Sequence, residues 1–462
     1  MSGSDANTNT TDTVAEIDLM DLAYRGDAVG RDQGRAVFVP GGIPGERVRV
    51  RLISDHKSYA RGELVEVLRA SPDRVTPGYP ELGESGGFQW QHIAYPAQLR
   101  WKTHIVGELL QRVGHFAQPP VLPILGMPEG SDLWRYRTVA QFAVGLDGAI
   151  GFRRSASHDV LDMPTCPIVH PRLDALYMAV REWMRDHWGA AAATYTGRFT
   201  LRVAANPPET PEADASSGDQ GLLTIEAHPA GALTSAADVG ALAQLMRQDV
   251  PGLAGVVILG LHGGPSRVVA GTECIYERVL GKTFQVSAGS FFQVNATQTP
   301  VLVREVRAAS HLASTDNLID GYSGVGLFSL ILADDVASVH AIESHPGAVA
   351  DARASAILNH TTNVRTTEGV LERILGALHP PHDHVDVVLV DPPRAGCVPR
   401  ALSEIQRLAP RTFVYVSCDP STLARDLRVI CDNGYRLESV QPVDMFPFTT
   451  HIECVARCER VG

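Results

Sequence analysis

The sequence predicts an α/β chain in three parts: a small β-barrel, a mixed α+β middle and a doubly wound parallel sheet. Three observations carry that prediction. From about Val14 to Ala70, apolar and polar positions alternate and are cut by glycine turns at Gly26, Gly30, Gly34, Gly41-Gly42 and Gly45, as in a barrel of short strands. From about Gly281 onward, compact apolar strands alternate with helical segments. At 462 residues the chain is too long for one ordinary core.

Taken in order, residues 1–13 read as a disordered tail, polar and without the basic and apolar regions of a signal peptide. In the barrel, residues 14–70, the strands expected are Val37-Phe38-Val39, Val48-Arg49-Val50-Arg51-Leu52 and Glu63-Leu64-Val65-Glu66-Val67. The middle, residues 71–280, shows helical patterns over 95–113 and 172–187. Its stretch 206–221, rich in Pro, Glu, Asp, Ser and Gly, reads as a flexible insertion. In the last part, residues 281–462, strands are expected at Asn317-Leu318-Ile319-Asp320, 336–342, 385–390 and Phe413-Val414-Tyr415-Val416, with a final one over 454–457.

Composition narrows the class of function. With 44% hydrophobic and 20% charged residues and no apolar run long enough to span a bilayer, the chain reads as a membrane-free globular protein. A net charge of −12 argues against coating nucleic acid non-specifically. A local basic face can still dominate contact with phosphates, and between Arg25 and Arg69 the residues Arg31, Arg35, Arg47, Arg49, Arg51, Lys57 and Arg61 outweigh the acids. Seven cysteines, odd in number and unpaired in spacing, fit a reducing cytoplasm.

Cys418 carries the sharpest signal. The strand Phe413 to Val416 precedes it. Behind it, Asp419 is an N-cap candidate and Pro420 suits the first helical position. Cys418 is therefore expected at the carboxyl end of a strand, facing a helix start that lowers a thiol's pKa from about 8.5 toward thiolate. A lone cysteine after a strand is more often structural; the surrounding motifs decide otherwise. Asp320-Gly321-Tyr322-Ser323-Gly324-Val325-Gly326 is a glycine turn after a strand, and Glu343 ends the next strand about twenty residues on, placed to bind ribose hydroxyls. Without a full GxGxxG or a phosphate-binding lysine, this turn leans from dinucleotides toward a nucleoside lacking a phosphate chain, such as S-adenosylmethionine. Asp391-Pro392-Pro393-Arg394 forms a rigid loop at the same sheet edge, because two prolines neither continue a ladder nor enter a helix interior.

Together with Ser290-Phe291-Phe292-Gln293-Val294-Asn295, Ser417-Cys418-Asp419-Pro420 and His451-Ile452-Glu453, these motifs closely resemble the RNA 5-methyluridine methyltransferases. The resemblance covers nearly the whole chain, since Phe38-Val39-Pro40-Gly41-Gly42-Ile43-Pro44-Gly45-Glu46 looks like the TRAM RNA-binding barrel found at the front of many members. It implies a class I methyltransferase fold using S-adenosylmethionine, with RNA as partner, in a cytoplasmic monomer. It makes Cys418 the nucleophile toward uracil C6 and Glu453 the base that removes the C5 proton. It places Gln293, Tyr322, Gly324, Glu343 and Asp391 around the methyl donor. The target uridine has to be unstacked or flipped.

The sequence departs from the family in the glycine turn, where Ser323 stands at the usual cysteine and reads as structural, and at the iron–sulfur site. Many relatives hold a four-cysteine iron–sulfur cluster, but Tyr79, Ser85 and Phe88 stand at three of those positions and only Cys166 remains. One thiolate cannot hold such a cluster, so neither cluster nor metal is expected. Ribosomal RNA is the expected substrate. The tRNA T-loop is the rival within the reaction, and a silent TRAM RNA-binding protein the rival of another class.

Overall fold

A computed structural model describes residues 13–155, 157–208, 220–227, 236–259, 266–380 and 382–461. The expected tail and most of the 206–221 insertion lie outside the described residues. Strands β1 (Val14–Leu22), β2 (Ala28–Asp32), β3 (Arg35–Val39), β4 (Arg47–Asp55) and β5 (Tyr59–Arg69) close into a barrel in the order β1-β2-β3-β5-β4. Period-two alternation sends Val37, Val39, Val48, Val50 and Ala60 wholly inside. Glu46, also buried, accepts from Arg74, Ser71 and Ile43. Burial pushes its carboxyl up, but these donors hold it below the usual carboxylate range.

The same alternation overturns the basic face expected on the barrel. The cross-strand register sets Glu16 opposite Arg49, Asp18 opposite Arg47, and Glu66 and Glu63 opposite Arg49 and Arg51. Arg47 lies 3.4 Å from Glu16 and 3.6 Å from Asp18; Arg49 pairs with Glu16 and Glu66, and Arg51 with Glu63. Arg35 and Arg61 face Asp32 and Asp27. This face is a charge-balanced ladder of arginines and acids.

The middle holds more strand than its sequence pattern predicted. Strands β6 (Val139–Val144), β7 (Ile150–Arg153), β8 (Val160–Asp162), β9 (Thr196–Val203), β10 (Gly221–Ala227), β11 (Leu253–Leu259) and β12 (Arg267–Gly271) form one sheet, in the order β12-β11-β10-β9-β6-β7-β8. The helix Pro171–His187 packs on it, Tyr177 stacking on Phe142 at 4.0 Å. A hairpin, β13 (Cys274–Val279) and β14 (Lys282–Ser287), straddles the boundary expected at residue 281. It is pinned to the helix Pro346–Leu358: Asp351 accepts from the Ser287 amide and hydroxyl, and Ser355 from the Gln285 amide.

The last part is a seven-stranded sheet of β15 (Asn317–Gly321), β16 (Ser338–Glu343), β17 (Val364–Glu368), β18 (Val387–Val390), β19 (Thr412–Ser417), β20 (Tyr435–Val443) and β21 (Glu453–Arg460). Its order, β17-β16-β15-β18-β19-β21-β20, has its switch point between β15 and β18, where such sheets open a ligand crevice. All six residues of β19 are buried, as a central strand covered on both faces requires. Only β21 runs antiparallel to its neighbours. The helix Tyr95–Arg112 sits between barrel and sheet, and one apolar cluster runs from Val48 and Val50 through Ile105 and Val106 to Leu427 and Ala456. Among the described residues, no helix is long and apolar enough to cross a membrane.

Candidate active site

Strand ends build the site. β15 and β18 are parallel neighbours, so the glycine turn after Gly321 and the loop after Val390 emerge side by side, and the Asp391 amide donates to the Gly321 carbonyl at 3.2 Å. Tyr322, Gly324 and Gly326 all have positive φ, and a side chain at Gly324 would meet open space, which leaves the turn hollow toward the cavity. Glu343, at the end of β16, accepts from the Gly324 amide at 3.0 Å and fixes the turn.

β21 explains how Glu453 reaches Cys418. Because β21 runs antiparallel to β19 and their last registered pair is Ser417 with Cys454, Cys418 and Glu453 follow at the same end of the two strands, near enough for the carboxyl to act on the thiol. Cys418 precedes the helix Pro420–Cys431, whose N-cap Asp419 accepts from the Ser421 and Thr422 amides. That helix also clamps the Asp391–Arg394 loop. Thr422 donates to the Arg394 carbonyl, Arg425 to the Ala395 carbonyl, and Asp426 accepts from the Cys397 amide. Gln293 is held from another side: the Val294 carbonyl accepts from the Thr138 amide, and Asn295 donates to the Met445 carbonyl.

Gln293, Tyr322, Gly324, Glu343, Asp391, Cys418 and Glu453 line one cavity of about 660 Å³. Sequence reasoning named no role for Arg137, Phe291, Arg394, Phe446 or His451, which line it too. Phe291, Arg394 and His451 lay inside quoted motifs; Arg137, from the middle part, carried no signal. Phe291 is 63% exposed at the cavity, an unusual position for a phenylalanine. Arg394 approaches His451 at 3.4 Å, and burial, reinforced by Arg394, drives His451 down to about 4, so it is a neutral ring at pH 7.

The electrostatics correct one expectation. Cys418 is not biased to thiolate by the helix start: burial, then Glu453 and Asp391, push it up to about 12, with Arg394 pulling the other way. A half-turn of helix dipole is outweighed by two acids and a low-dielectric wall. Burial and then Asp391 raise Glu453 well above the carboxylate range, and burial and then Asp320 raise Asp391 to about 7. This cluster of reluctant acids fits a cationic ligand. With the open glycine turn and a carboxylate at the end of β16, the residues present suit a nucleoside bearing a sulfonium. At the positions where the resemblance implies cluster cysteines, Tyr79 and Phe88 join the aromatic core around Trp134, and among the described residues no group of three His, Cys, Asp or Glu could hold a metal.

Comparison with known proteins agrees with this geometry. A family model described as tRNA (Uracil-5-)-methyltransferase matches residues 266–461, and one for the TRAM domain matches 11–65. An RNA methyltransferase of Halalkalibacterium halodurans is 35% identical, each chain covering 99% of the other. One of Gloeobacter violaceus is 35% identical over 95% of both chains. Among solved structures, the tRNA (uracil-54, C5)-methyltransferase of Pyrococcus abyssi, in complex with S-adenosyl-L-homocysteine, superposes with a TM-score of 0.71 at 24% identity. The match covers 96% of this chain and 100% of that one. The chain belongs to the family of RNA methyltransferases with an N-terminal TRAM domain.

Proposed function

We propose that this RNA methyltransferase makes 5-methyluridine, with Cys418 adding to uracil C6 and Glu453 removing the proton from C5. The observation that supports this most directly is that Cys418 and Glu453 line one cavity, next to the last registered pair of β19 and β21, with Glu453 acting electrostatically on the thiol. S-adenosylmethionine, when bound, supplies an electrophilic methyl group. Gln293, Tyr322, Gly324, Glu343 and Asp391 hold the donor side of the cavity.

Uracil C5 is a poor nucleophile until a group adds at C6. The Cys418 S–H proton leaves to a neighbouring carboxylate, the sulfur forms a bond to C6, and the C5=C6 electron pair moves toward O4. Arg394, the cation acting on Cys418, favours the thiolate as it forms. C5 then takes the methyl group, whose former bonding pair stays with the donor sulfur. Glu453, once ionised in its buried site, is a strong base. It takes the C5 proton, the C5=C6 bond re-forms, and the S–C6 pair returns to Cys418. The neutral aromatic walls, Phe291 and Phe446, give an unstacked base a surface to rest on.

The substrate proposed is 23S ribosomal RNA. A second reading, the tRNA T-loop uridine, draws on the family model's description and on the Pyrococcus enzyme's name. Mapping 5-methyluridine in cells with and without the gene separates them. RNA carrying 5-fluorouridine cannot lose its C5 substituent as a proton, so wild type should give a persistent shifted band on a denaturing gel and Cys418→Ala none. No band with wild type on either RNA would end the proposal. The protein is taken to act as a cytoplasmic monomer.

A further inference from the structure

The β1–β2 turn of the barrel reaches both loops that carry the chemistry. The Tyr24 hydroxyl donates to Asp419 Oδ2 at 2.6 Å, across the boundary between barrel and sheet. Asp419 is the residue after Cys418, and its other oxygen, Oδ1, caps the following helix through the Ser421 and Thr422 amides. Two residues further along the same turn, Gly26 has φ +95°, and a Cβ there would meet Thr450 at 2.3 Å and the Trp90 indole nitrogen at 2.6 Å. Thr450 directly precedes His451, two residues short of Glu453. The Trp90 indole donates to the Gly26 carbonyl, and its amide donates to the Phe448 carbonyl, so the turn and the Glu453 loop share one bracket.

We propose that Tyr24 is a positioning residue for the nucleophile: through Asp419 it fixes the turn that presents Cys418, and so makes the barrel part of the catalytic frame. This rests on the reading of Cys418 as the nucleophile. The physical argument has two steps. A carboxylate with three donors has one rotamer, so the cap and the Cys418 backbone are fixed together. The phenol also disperses the Asp419 charge one residue from the sulfur, where a full negative charge would oppose thiolate formation. Burial, and then Asp419, push the Tyr24 phenol above its usual value, so it stays a donor throughout the working range.

The test uses Tyr24→Phe, which removes one oxygen and keeps the ring, in the full chain. The rate of adduct formation on 5-fluorouridine RNA, at saturating RNA and over roughly pH 6 to 9, should fall at least about tenfold, the scale of a lost hydrogen bond to a charged group. The pH profile should move to higher pH with RNA affinity unchanged, and the melting temperature should fall only by the few degrees that one lost hydrogen bond costs. Asp419→Ser keeps a capping oxygen but leaves no group within reach of Tyr24, so adding Tyr24→Phe to it should have no further effect. Alkylation of Cys418 by iodoacetamide without RNA, quantified on its peptide, should show the same displacement. Wild-type rate and profile in Tyr24→Phe would overturn the inference, as would a loss confined to RNA affinity. If wild type forms no adduct yet the alkylation profile still moves, the functional reading fails and the positioning role stands.

Discussion

Cys418 sits among groups that mostly oppose its ionisation, with burial foremost, then Glu453 and Asp391, and Arg394 acting against them. Such a thiol resists casual oxidation and alkylation, and becomes a nucleophile only when its proton has somewhere to go. In the proposed mechanism Glu453 acts in the second half of the reaction, so Glu453→Gln should bind RNA normally and accumulate the methylated covalent adduct on ordinary uridine RNA. Its turnover should fall by about 10²–10⁴; unchanged turnover would make Glu453 a packing residue. Asp391 adds a pH signature. Its folded value of about 7 lies above its ordinary 3.8, so the folded protein keeps a proton that the unfolded chain has released. That contribution favours the folded state fully below about pH 4 and is lost as pH rises through about 7. A sulfonium placed beside Asp391 favours the carboxylate. Binding of S-adenosylmethionine just below pH 7 should therefore release protons and tighten as pH rises. Calorimetry in two buffers of different ionisation enthalpy measures the release, and no proton change would show that Asp391 does not face the donor.

At the scale of elements, the barrel and the last sheet were legible because their strands alternate cleanly or run wholly apolar. Strand β19 needs no register to be recognised, since every position is buried. The glycine turn, Glu343, Asp391 and Cys418 share one cavity because parallel strands end at one edge, a consequence of topology that the sequence pattern carries. What the sequence did not carry is pairing. The arginines of β4 look basic in one dimension and are neutralised only when β1 and β5 lie beside them. Changing Arg47, Arg49 and Arg51 together to glutamine should therefore change the salt dependence of RNA binding by much less than the slope of about 2 that three phosphate contacts to a single strand would give. A change of that full size would mean the pairs open on RNA. The helix Tyr95–Arg112 was recognised but not its task, which is polar. Lys102 and Asp444, both fully buried, pair at 2.7 Å, and Lys102 also donates to the Phe446 carbonyl. Gln98, one turn earlier, accepts from the Phe448 amide. Phe448 takes φ +63°, a left-handed conformation that costs a non-glycine residue about 1–3 kcal/mol and persists only where neighbours enforce it. Lys102→Met should cost about 3–5 kcal/mol by leaving Asp444 charged and unpaired, and Lys102→Met with Asp444→Leu should recover much of it in urea unfolding.

Across the whole molecule, middle and sheet converge on an aromatic junction. Trp134 stacks on Phe448 at 4.0 Å, Tyr79 meets Trp134 edge-on at 4.9 Å, and Phe88 lies within 6.4 Å of Trp134 and 6.0 Å of Phe152. Tyr79 and Phe88 stand at positions where the family resemblance implies cluster cysteines, and the remaining Cys166 is fully buried, its thiol pushed up to about 12 by burial. The bracing here is dispersion and apolar burial spread over four or five rings, and it follows that removing a ring should matter more than removing the sulfur. Phe88→Ala opens a cavity in a core that cannot collapse easily and should cost about 3–5 kcal/mol. Cys166→Ala removes one atom from a packed site and should cost about 1 kcal/mol. Because Trp134 leans on Phe448, the Phe88→Ala variant should also lose adduct-forming rate, whereas Cys166→Ala should keep it. Anaerobically purified protein should contain no stoichiometric iron and show no visible charge-transfer band. Iron in active protein, or a larger loss from Cys166→Ala than from Phe88→Ala, would mean that the junction is held by a cluster with ligands outside these four positions.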